Sequence, residues 1–250
     1  MISILLHLIC PVFIYTAVTT VLFQEFGLGA LKATALSAFL TSPFFLYYYA
    51  KDQRGRGKKQ AVRLRLSGCL AYIVVLGGAL CLFGNYLEEA LLLAQRSAAY
   101  EEASRALYSP PLAFQLLASG LVIPFAEELI FRGLVFASLR DKLPFVLSGL
   151  LSSVLFGLYH GNLPQGAYAF VVGIAAAWLY QTCGTLLAPF LLHVSANLLS
   201  LLVTNTALLG VLSGSDNREI LLVKAAASAA VSAVCANRIY RKNNLKEDVV

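Results

Sequence analysis

Charge is the scarcest property of this sequence. Only 13% of its 250 residues are Asp, Glu, Lys or Arg, whereas 59% are hydrophobic. Average soluble domains carry about 25% charged residues, so a soluble globular protein is excluded. Apolar runs long enough to cross a bilayer follow one another along almost the whole chain. This pattern predicts an all-α fold, that of a polytopic membrane protein.

Other features are also missing. No lysine or arginine precedes Lys32, so the first apolar run lacks the charged start of a cleavable signal peptide and is expected to remain as a span. The sequence has no Asn-x-Ser/Thr acceptor, which favours a bacterial cytoplasmic membrane as its location. Its five cysteines lie in or beside apolar runs, which favours buried small side chains over a disulfide framework or a metal cluster.

The apolar runs predict a bundle of about eight transmembrane helices. The spans lie near 3–23, 28–50, 66–87, 111–139, 143–160, 165–183, 185–204 and 219–237. The most basic connection, 51–59, faces the cytoplasm by the positive-inside rule, and this orientation places both termini in the cytoplasm. We expect the basic loop to set topology and not to bind nucleic acid. The acidic segment 88–108 then faces outward and has the spacing of an amphipathic surface helix.

Three ionisable residues, Glu127, Glu128 and Arg132, lie inside the fourth span. Because an ionisable side chain at membrane depth costs about 2.5–3.5 kcal/mol even on the mildest scale, such residues indicate a functional site. Glu128 and Arg132 are four residues apart and can pair on one helix face, whereas Glu127 is rotated by about 100° and left to handle a proton. A purely structural ion network is the alternative, and it is weaker because buried ion pairs rarely add net stability.

Two of the three histidines lie in later spans. His160 follows Phe156 by one turn, and His193 precedes Asn197 by one turn. Each motif alone is typical of polar groups at helix ends or between helices. At a rise of about 1.5 Å per residue, Glu127, His160 and Asn197 lie roughly 18–24 Å from the cytoplasmic ends of their helices and can share one layer. A carboxylate, imidazoles and an amide in one layer indicate hydrolysis, since they can activate water and stabilise an oxyanion.

The motifs Glu127-Glu128-x-x-x-Arg132, Phe156-x-x-x-His160 and His193-x-x-x-Asn197, in this order, resemble those of the CPBP family. These are the CAAX prenyl protease and bacteriocin-processing intramembrane proteases, also called Abi proteins. The resemblance covers about residues 110–204. It implies an eight-helix membrane endopeptidase that cuts a membrane-associated peptide or protein near its C-terminus.

The resemblance also implies residue roles. Glu127 and His160 would activate the attacking water, while His193 and Asn197 would stabilise the tetrahedral oxyanion. Three residues would support them: Glu128, Arg132 and Phe156. The chain would then divide into N-terminal helices (1–110), a catalytic core (111–204), and a last helix with a cytoplasmic tail (205–250).

The resemblance leaves the metal question open. The family is commonly labelled as metalloproteases, and Glu127, His160 and His193 could hold Zn²⁺ from separate helices. This set differs from His-Glu-x-x-His zinc motifs, in which two imidazoles lie one turn apart. In sequence no further carboxylate lies near either histidine, since Glu128 is assigned to Arg132, and this favours a metal-free mechanism.

Two other function classes stay open. One is a non-catalytic scaffold or bacteriocin-immunity protein of the same fold. The other is a proton-coupled transporter, because acids and histidines in spans also build proton relays. A transporter predicts an inverted repeat or a helix broken near the bilayer midplane, for which Pro124 and Pro189 are the candidate positions.

Overall fold

The structure is a computed structural model that describes residues 2–56, 68–93, 95, 97–206, 212 and 214–244. Within these residues the chain forms nine helices and no strand. They are α1 (Ile2–Gln24), α2 (Ala30–Gly55), α3 (Leu70–Ala90), α4 (Ala98–Tyr108), α5 (Leu112–Arg140), α6 (Phe145–Tyr159), α7 (Leu163–Cys183), α8 (Leu187–Asn205) and α9 (Arg218–Asn244). The predicted all-α membrane class is confirmed.

All eight predicted spans fall on helices. In the described part of the chain, six helices are long and apolar enough to cross a bilayer: α1, α3, α5, α7, α8 and α9. The other two predicted spans differ from these. α2 has 26 residues but ends in a charged segment. α6 is apolar but has only 15 residues, about 22 Å of helix against a hydrocarbon core of about 30 Å.

The helices turn large apolar side chains outward. Phe13, Phe39, Leu158 and Val223 are 68%, 68%, 73% and 69% exposed. Lipid tails stabilise such a surface, whereas water would penalise it. Inside the bundle most buried side chains are also apolar, but the charged Arg132 is among the largest fully buried ones. The protein is therefore a multi-pass membrane protein with a buried cation in a largely apolar interior.

α5 carries the two glutamates, and its helix type changes on either side of them. π-helical segments, Ala118–Val122 and Leu129–Phe136, flank the α-helical turn Ile123–Glu128. π-helical turns widen a helix and are frequent at functional sites. Pro124 directly follows the first of these segments at the start of the α-helical turn, and the helix continues through it.

α3 packs closely against the helix that carries the second histidine motif. A Cβ atom added at Gly77 of α3 would overlap the Leu192 carbonyl oxygen and the Ser195 hydroxyl of α8. Only the absence of a side chain at Gly77 permits this approach of the two backbones. The position of α8 therefore depends on a residue far from the motifs in sequence.

The structure only partly confirms the amphipathic helix predicted over 88–108. α3 continues to Ala90, the chain turns at Leu92 with a φ of 54°, and α4 begins at Ala98 after its N-cap Ser97. The Ser97 hydroxyl accepts a hydrogen bond from the Tyr100 backbone N–H at 3.2 Å. The amphipathic helix is therefore shorter than the pattern suggested, because α3 includes its first turn.

The basic connection 51–59 that determined the predicted topology is described up to residue 56, and its last three positions lie outside the described residues, which resume at 68. At its described edge, Arg56 forms ion pairs with Asp52 and with Asp141, the latter at 2.8 Å between Nη2 and Oδ2. These pairs join the end of α2 to the turn that follows α5. All five cysteines lie in described parts of the chain, and none forms a disulfide.

Candidate active site

A cavity of about 210 Å³ lies inside the bundle and is lined by all four predicted catalytic residues. α5 supplies Glu127, the end of α6 supplies His160, and α8 supplies His193 and Asn197 one turn apart. Phe156 also lines this cavity. Helix packing therefore brings the three separate motifs to one place.

His193 lies between the two adjacent glutamates. Its Nε2 is 3.7 Å from Glu127 Oε2, and its Nδ1 is 2.8 Å from Glu128 Oε1. All three side chains are buried. The short Nδ1 contact is a hydrogen bond that fixes the ring, so Nε2 is the nitrogen that faces Glu127 and the cavity.

Glu128 therefore has two partners, and the sequence-based argument about its pairing is wrong in one respect. The expected ion pair with Arg132 is present, at 3.2 Å between Arg132 Nη1 and Glu128 Oε1. The same oxygen also holds His193, so a carboxylate does orient one of the histidines. Sequence spacing could not reveal this contact because it joins residues 65 positions apart on two packed helices.

Arg132 is held by charge and by an aromatic ring. Its guanidinium carbon lies 4.4 Å from the centroid of the Phe156 ring, a cation–π contact. Its nitrogens form no hydrogen bond with any residue that the structure describes. A Cβ at Gly173 would come within 3.2 Å of Arg132 Nη2. A glycine at this position therefore makes room for the buried cation.

Phe156 also contacts both histidines. Its ring centroid is 5.0 Å from that of His160 and 5.7 Å from that of His193, both edge-on. The backbone carbonyl of Phe156 lies 2.9 Å from His160 Nδ1. Because a carbonyl only accepts, Nδ1 carries the proton, and Nε2 of the neutral ring is left as an acceptor. Phe156 thus packs against the guanidinium and both imidazoles.

Asn197 is fixed by a residue that the sequence did not single out. Its Nδ2 donates a hydrogen bond to the Ser119 carbonyl oxygen at 2.8 Å. Ser119 belongs to the first π-helical segment of α5 and lines the cavity itself. One N–H of the amide is used in this contact, and the second remains for a ligand. No sequence motif indicates a backbone acceptor of this kind.

The cavity has a further wall that the motifs did not indicate. Asn85 and Glu88 of α3 and Tyr100 and Tyr108 of α4 line it. The same four residues line a second chamber of about 230 Å³. The cavity that holds the catalytic candidates is therefore adjacent to a second chamber beside α4.

Glu127, His160 and His193 do not form a metal site in this structure. Among the residues described, no group of three or more His, Cys, Asp or Glu side chains is arranged to hold a metal ion. The Nδ1 atoms of both histidines are engaged, one with Phe156 and one with Glu128. These contacts leave Nε2 as the remaining nitrogen of each ring, and a carbonyl or carboxylate behind Nδ1 is also the arrangement that orients an imidazole bound to a metal.

Comparison with known proteins bears on this region of the chain. Residues 109–199 match the family model of type II CAAX prenyl endopeptidase Rce1-like proteins. A segment of the chain is 34% identical over 82 residues to "Putative membrane peptidase YdiL" of Bacillus subtilis (strain 168), covering 33% of this chain and 34% of that protein. No solved structure matches the chain.

Two further curated proteins are similar. "UPF0177 protein YxdF" of Lactococcus lactis subsp. lactis (strain IL1403) is 31% identical over 93 residues, 35% of this chain and 49% of that protein. An "Uncharacterized 24.3 kDa protein" of Escherichia coli is 34% identical over 98 residues, 37% of this chain and 45% of that protein. The chain thus spans about a third to a half of the length of the curated relatives it matches. The family resemblance drawn from the motifs is confirmed, and the matched region contains every predicted site residue.

Proposed function

From the Rce1-like character of residues 109–199, we propose that this protein is an intramembrane endopeptidase. It hydrolyses a peptide bond of a membrane-associated peptide or protein. The observation that carries the proposal is the single cavity that collects Glu127, His160, His193 and Asn197 within a bundle of apolar helices. A similarity to a protein described as a membrane peptidase agrees with it.

In the first step Glu127 acts as the general base. Its carboxylate takes one proton from a water molecule, and the His160 Nε2 atom accepts a hydrogen bond from the other. The water oxygen then attacks the carbonyl carbon of the scissile peptide. A positioned base of this kind contributes typically 10²–10⁴-fold to the rate. The fixed Nδ1 contact of His160 supports this role, because it leaves Nε2 as the acceptor.

His193 and Asn197 stabilise the tetrahedral oxyanion. In this role His193 carries a proton on each nitrogen: Nδ1–H is held by Glu128, and Nε2–H donates to the oxyanion. Asn197 donates its second N–H while the first is held by Ser119. Donors fixed before the reaction need no reorganisation as the charge develops, which is why removing one such donor costs about 10²–10³ in rate.

Collapse of the intermediate completes the reaction. The carbon–nitrogen bond breaks as the protonated Glu127 gives its proton to the leaving amine. The products are a new C-terminal carboxyl group and a new amine, and Glu127 returns to its carboxylate form. This scheme needs no metal ion, and no step of it passes through one.

The proposed location is a bacterial cytoplasmic membrane with both termini in the cytoplasm. One end of the bundle joins the ends of α2, α7 and α9. Gln53 Nε2 donates to the Tyr180 hydroxyl at 3.2 Å, and Asn243 Nδ2 lies 3.8 Å from Cys183 Sγ. The basic residues Arg241 and Lys242 lie at this end, which favours the cytoplasmic side.

Comparative proteomics of membrane peptides tests the proposal. Cells that produce the wild type are compared with cells that produce Glu127→Gln, which keeps the shape of the side chain but cannot act as a base. Peptides with new termini should appear only with the wild type. Glu25→Gln, at an exposed acid in the turn that follows α1, is the matched control and should behave as the wild type. The same cleavage products from Glu127→Gln would overturn the proposal.

A further inference from the structure

The two chambers lie side by side next to the catalytic candidates and share lining residues. The inner chamber holds Glu127, and the outer one lies beside the end of α3 and the helix α4. Asn85, Glu88 and Tyr100 line both. A peptide bound across Glu127 therefore has a neighbouring part that reaches the shared wall. α3 and α4 both lie outside the region that matches the protease family, so this wall is a feature of the rest of this chain.

The charge of the two chambers has one sign. Glu127 and Glu88 line the inner chamber, and Glu88 and Glu89 line the outer one, with no lysine or arginine among the residues described there. The cations nearby are engaged elsewhere: Arg105 pairs with Glu101 at 3.4 Å, and Lys224 Nζ lies 5.3 Å from the Tyr86 ring centroid. A cleft of one charge sign with low-dielectric walls concentrates ligands of the opposite sign.

Glu88 is the acid placed to act on a ligand. Its side chain is partly buried, whereas Glu89 is exposed and accepts a hydrogen bond from the Ser215 backbone N–H at 3.3 Å. Tyr100 lines both chambers together with Glu88, and burial together with the Glu88 charge raises the pKa of its phenol. The phenol therefore stays protonated and is available to donate to Glu88. A carboxylate has room for about four hydrogen bonds, so it retains acceptor capacity.

We propose that Glu88 is a specificity-determining residue that binds a lysine or arginine side chain of the substrate beside the scissile bond. This inference rests on the proposed endopeptidase function. A cationic side chain of the substrate that reaches Glu88 gains a charge-assisted hydrogen bond in a partly buried site. A glutamate or aspartate at the same position of the substrate faces like charge and is rejected.

A binding experiment tests this without requiring cleavage. The protein carrying Glu127→Gln is reconstituted in phosphatidylcholine nanodiscs. The probes are fluorescein-labelled peptides with an apolar leucine and alanine segment and one lysine, glutamine or glutamate, placed at each position in turn. At one position the lysine peptide should bind at least about tenfold more tightly than the glutamate peptide. Absence of such a preference at every position, or no binding of any lysine peptide, overturns the inference.

Variants of Glu88 assign the preference. Glu88→Gln keeps an acceptor for Tyr100 and should remove the preference, while Glu88→Lys should reverse it. Glu102→Lys, at an exposed acid of α4 that lines neither chamber, is the control for charge alone and should keep it. A preference that survives Glu88→Gln, or is equally lost in Glu102→Lys, overturns the role of Glu88.

The failure of this inference differs from the failure of the proposed function. If the wild type cleaves peptides in a Glu127-dependent way and Glu88 has no influence on charge preference, only the inference fails. If a Glu88-dependent preference is found but the wild type cleaves none of the bound peptides, the endopeptidase function fails and the binding site remains.

Discussion

Glu128 joins two helices through a single oxygen atom. Oε1 lies 2.8 Å from His193 Nδ1 on α8 and 3.2 Å from Arg132 Nη1 on α5. Its charge neutralises a guanidinium that makes no hydrogen bond with any described residue. The carboxylate therefore affects both the stability of the bundle and the orientation of a catalytic candidate.

We expect Glu128→Ala to destabilise the protein by about 3–5 kcal/mol, the usual cost of leaving one member of a buried ion pair uncompensated. Activity should fall as well, because the Nδ1–H of His193 loses its acceptor. Thermal unfolding in detergent and peptide cleavage are the two measurements. Glu25→Ala, at an exposed acid, serves as the control and should leave both unchanged. A wild-type melting temperature for both Glu128→Ala and Arg132→Ala would show that the pair is not structural.

The side chains of the histidines also bear on metal dependence. Among the described residues no group of three or more His, Cys, Asp or Glu is arranged to hold a metal ion, and the proposed scheme activates water with Glu127 and His160 alone. We expect peptide cleavage to survive exhaustive chelation, with metal analysis of the same purified sample. Zinc present in stoichiometric amount, lost together with activity and restored together with it, would establish a metalloprotease instead.

At the residue scale, the sequence predicted which side chains belong to the site but not all of their partners. Polar residues are rare in the apolar runs, so position alone identified four of them as candidate site residues: Glu127, His160, His193 and Asn197. The contact of Glu128 with His193 and that of Asn197 with the Ser119 carbonyl depend on helix packing. No local pattern in a sequence specifies such contacts.

At the scale of elements, α5 and α8 depend on helices outside the matched region. α3 holds α8 through the approach of Gly77 to Leu192 and Ser195, immediately beside His193. Apolar periodicity predicted that α3 is a span, but it gave no indication of which helix it contacts. The start of α4 was predicted poorly for a related reason, since α3 continues through the first turn of the expected amphipathic segment.

Gly77→Ala tests the dependence of α8 on α3. The added Cβ would overlap a backbone oxygen, which a rotamer change cannot relieve, so α8 has to move. We expect a loss of stability of about 1–3 kcal/mol, as for other overpacked sites, and a fall in kcat as His193 and Asn197 shift. Gly78→Ala is the matched control, because its Cβ would lie 3.3 Å from the flexible Leu199 side chain. Equal effects of the two substitutions would show that the approach at Gly77 does not position the site.

At the scale of the whole molecule, basic residues predominate over acidic ones at one end of the bundle. The ends of α2, α5 and α9 carry Arg56, Arg140, Arg241 and Lys242, and Lys242 Nζ donates to the Gly68 carbonyl oxygen at 2.7 Å. The acidic residues of the outer chamber and α4 lie near the other end of α3. The apolar helices and this distribution of charge can be predicted from the sequence, whereas the two chambers between the helices require the packed bundle.

The distribution of charge predicts an orientation that labelling can measure. In a variant without the native cysteines, Glu102→Cys on α4 should react with a membrane-impermeant maleimide in spheroplasts. Arg241→Cys at the end of α9 should react only after the membrane is permeabilised. Both positions are exposed, so access to the reagent depends on the side of the membrane. The physical reason is the retention of Lys and Arg on the cytoplasmic side. The opposite labelling pattern would place α4 and the outer chamber on the cytoplasmic side of the membrane. Substrate would then reach the outer chamber from that side.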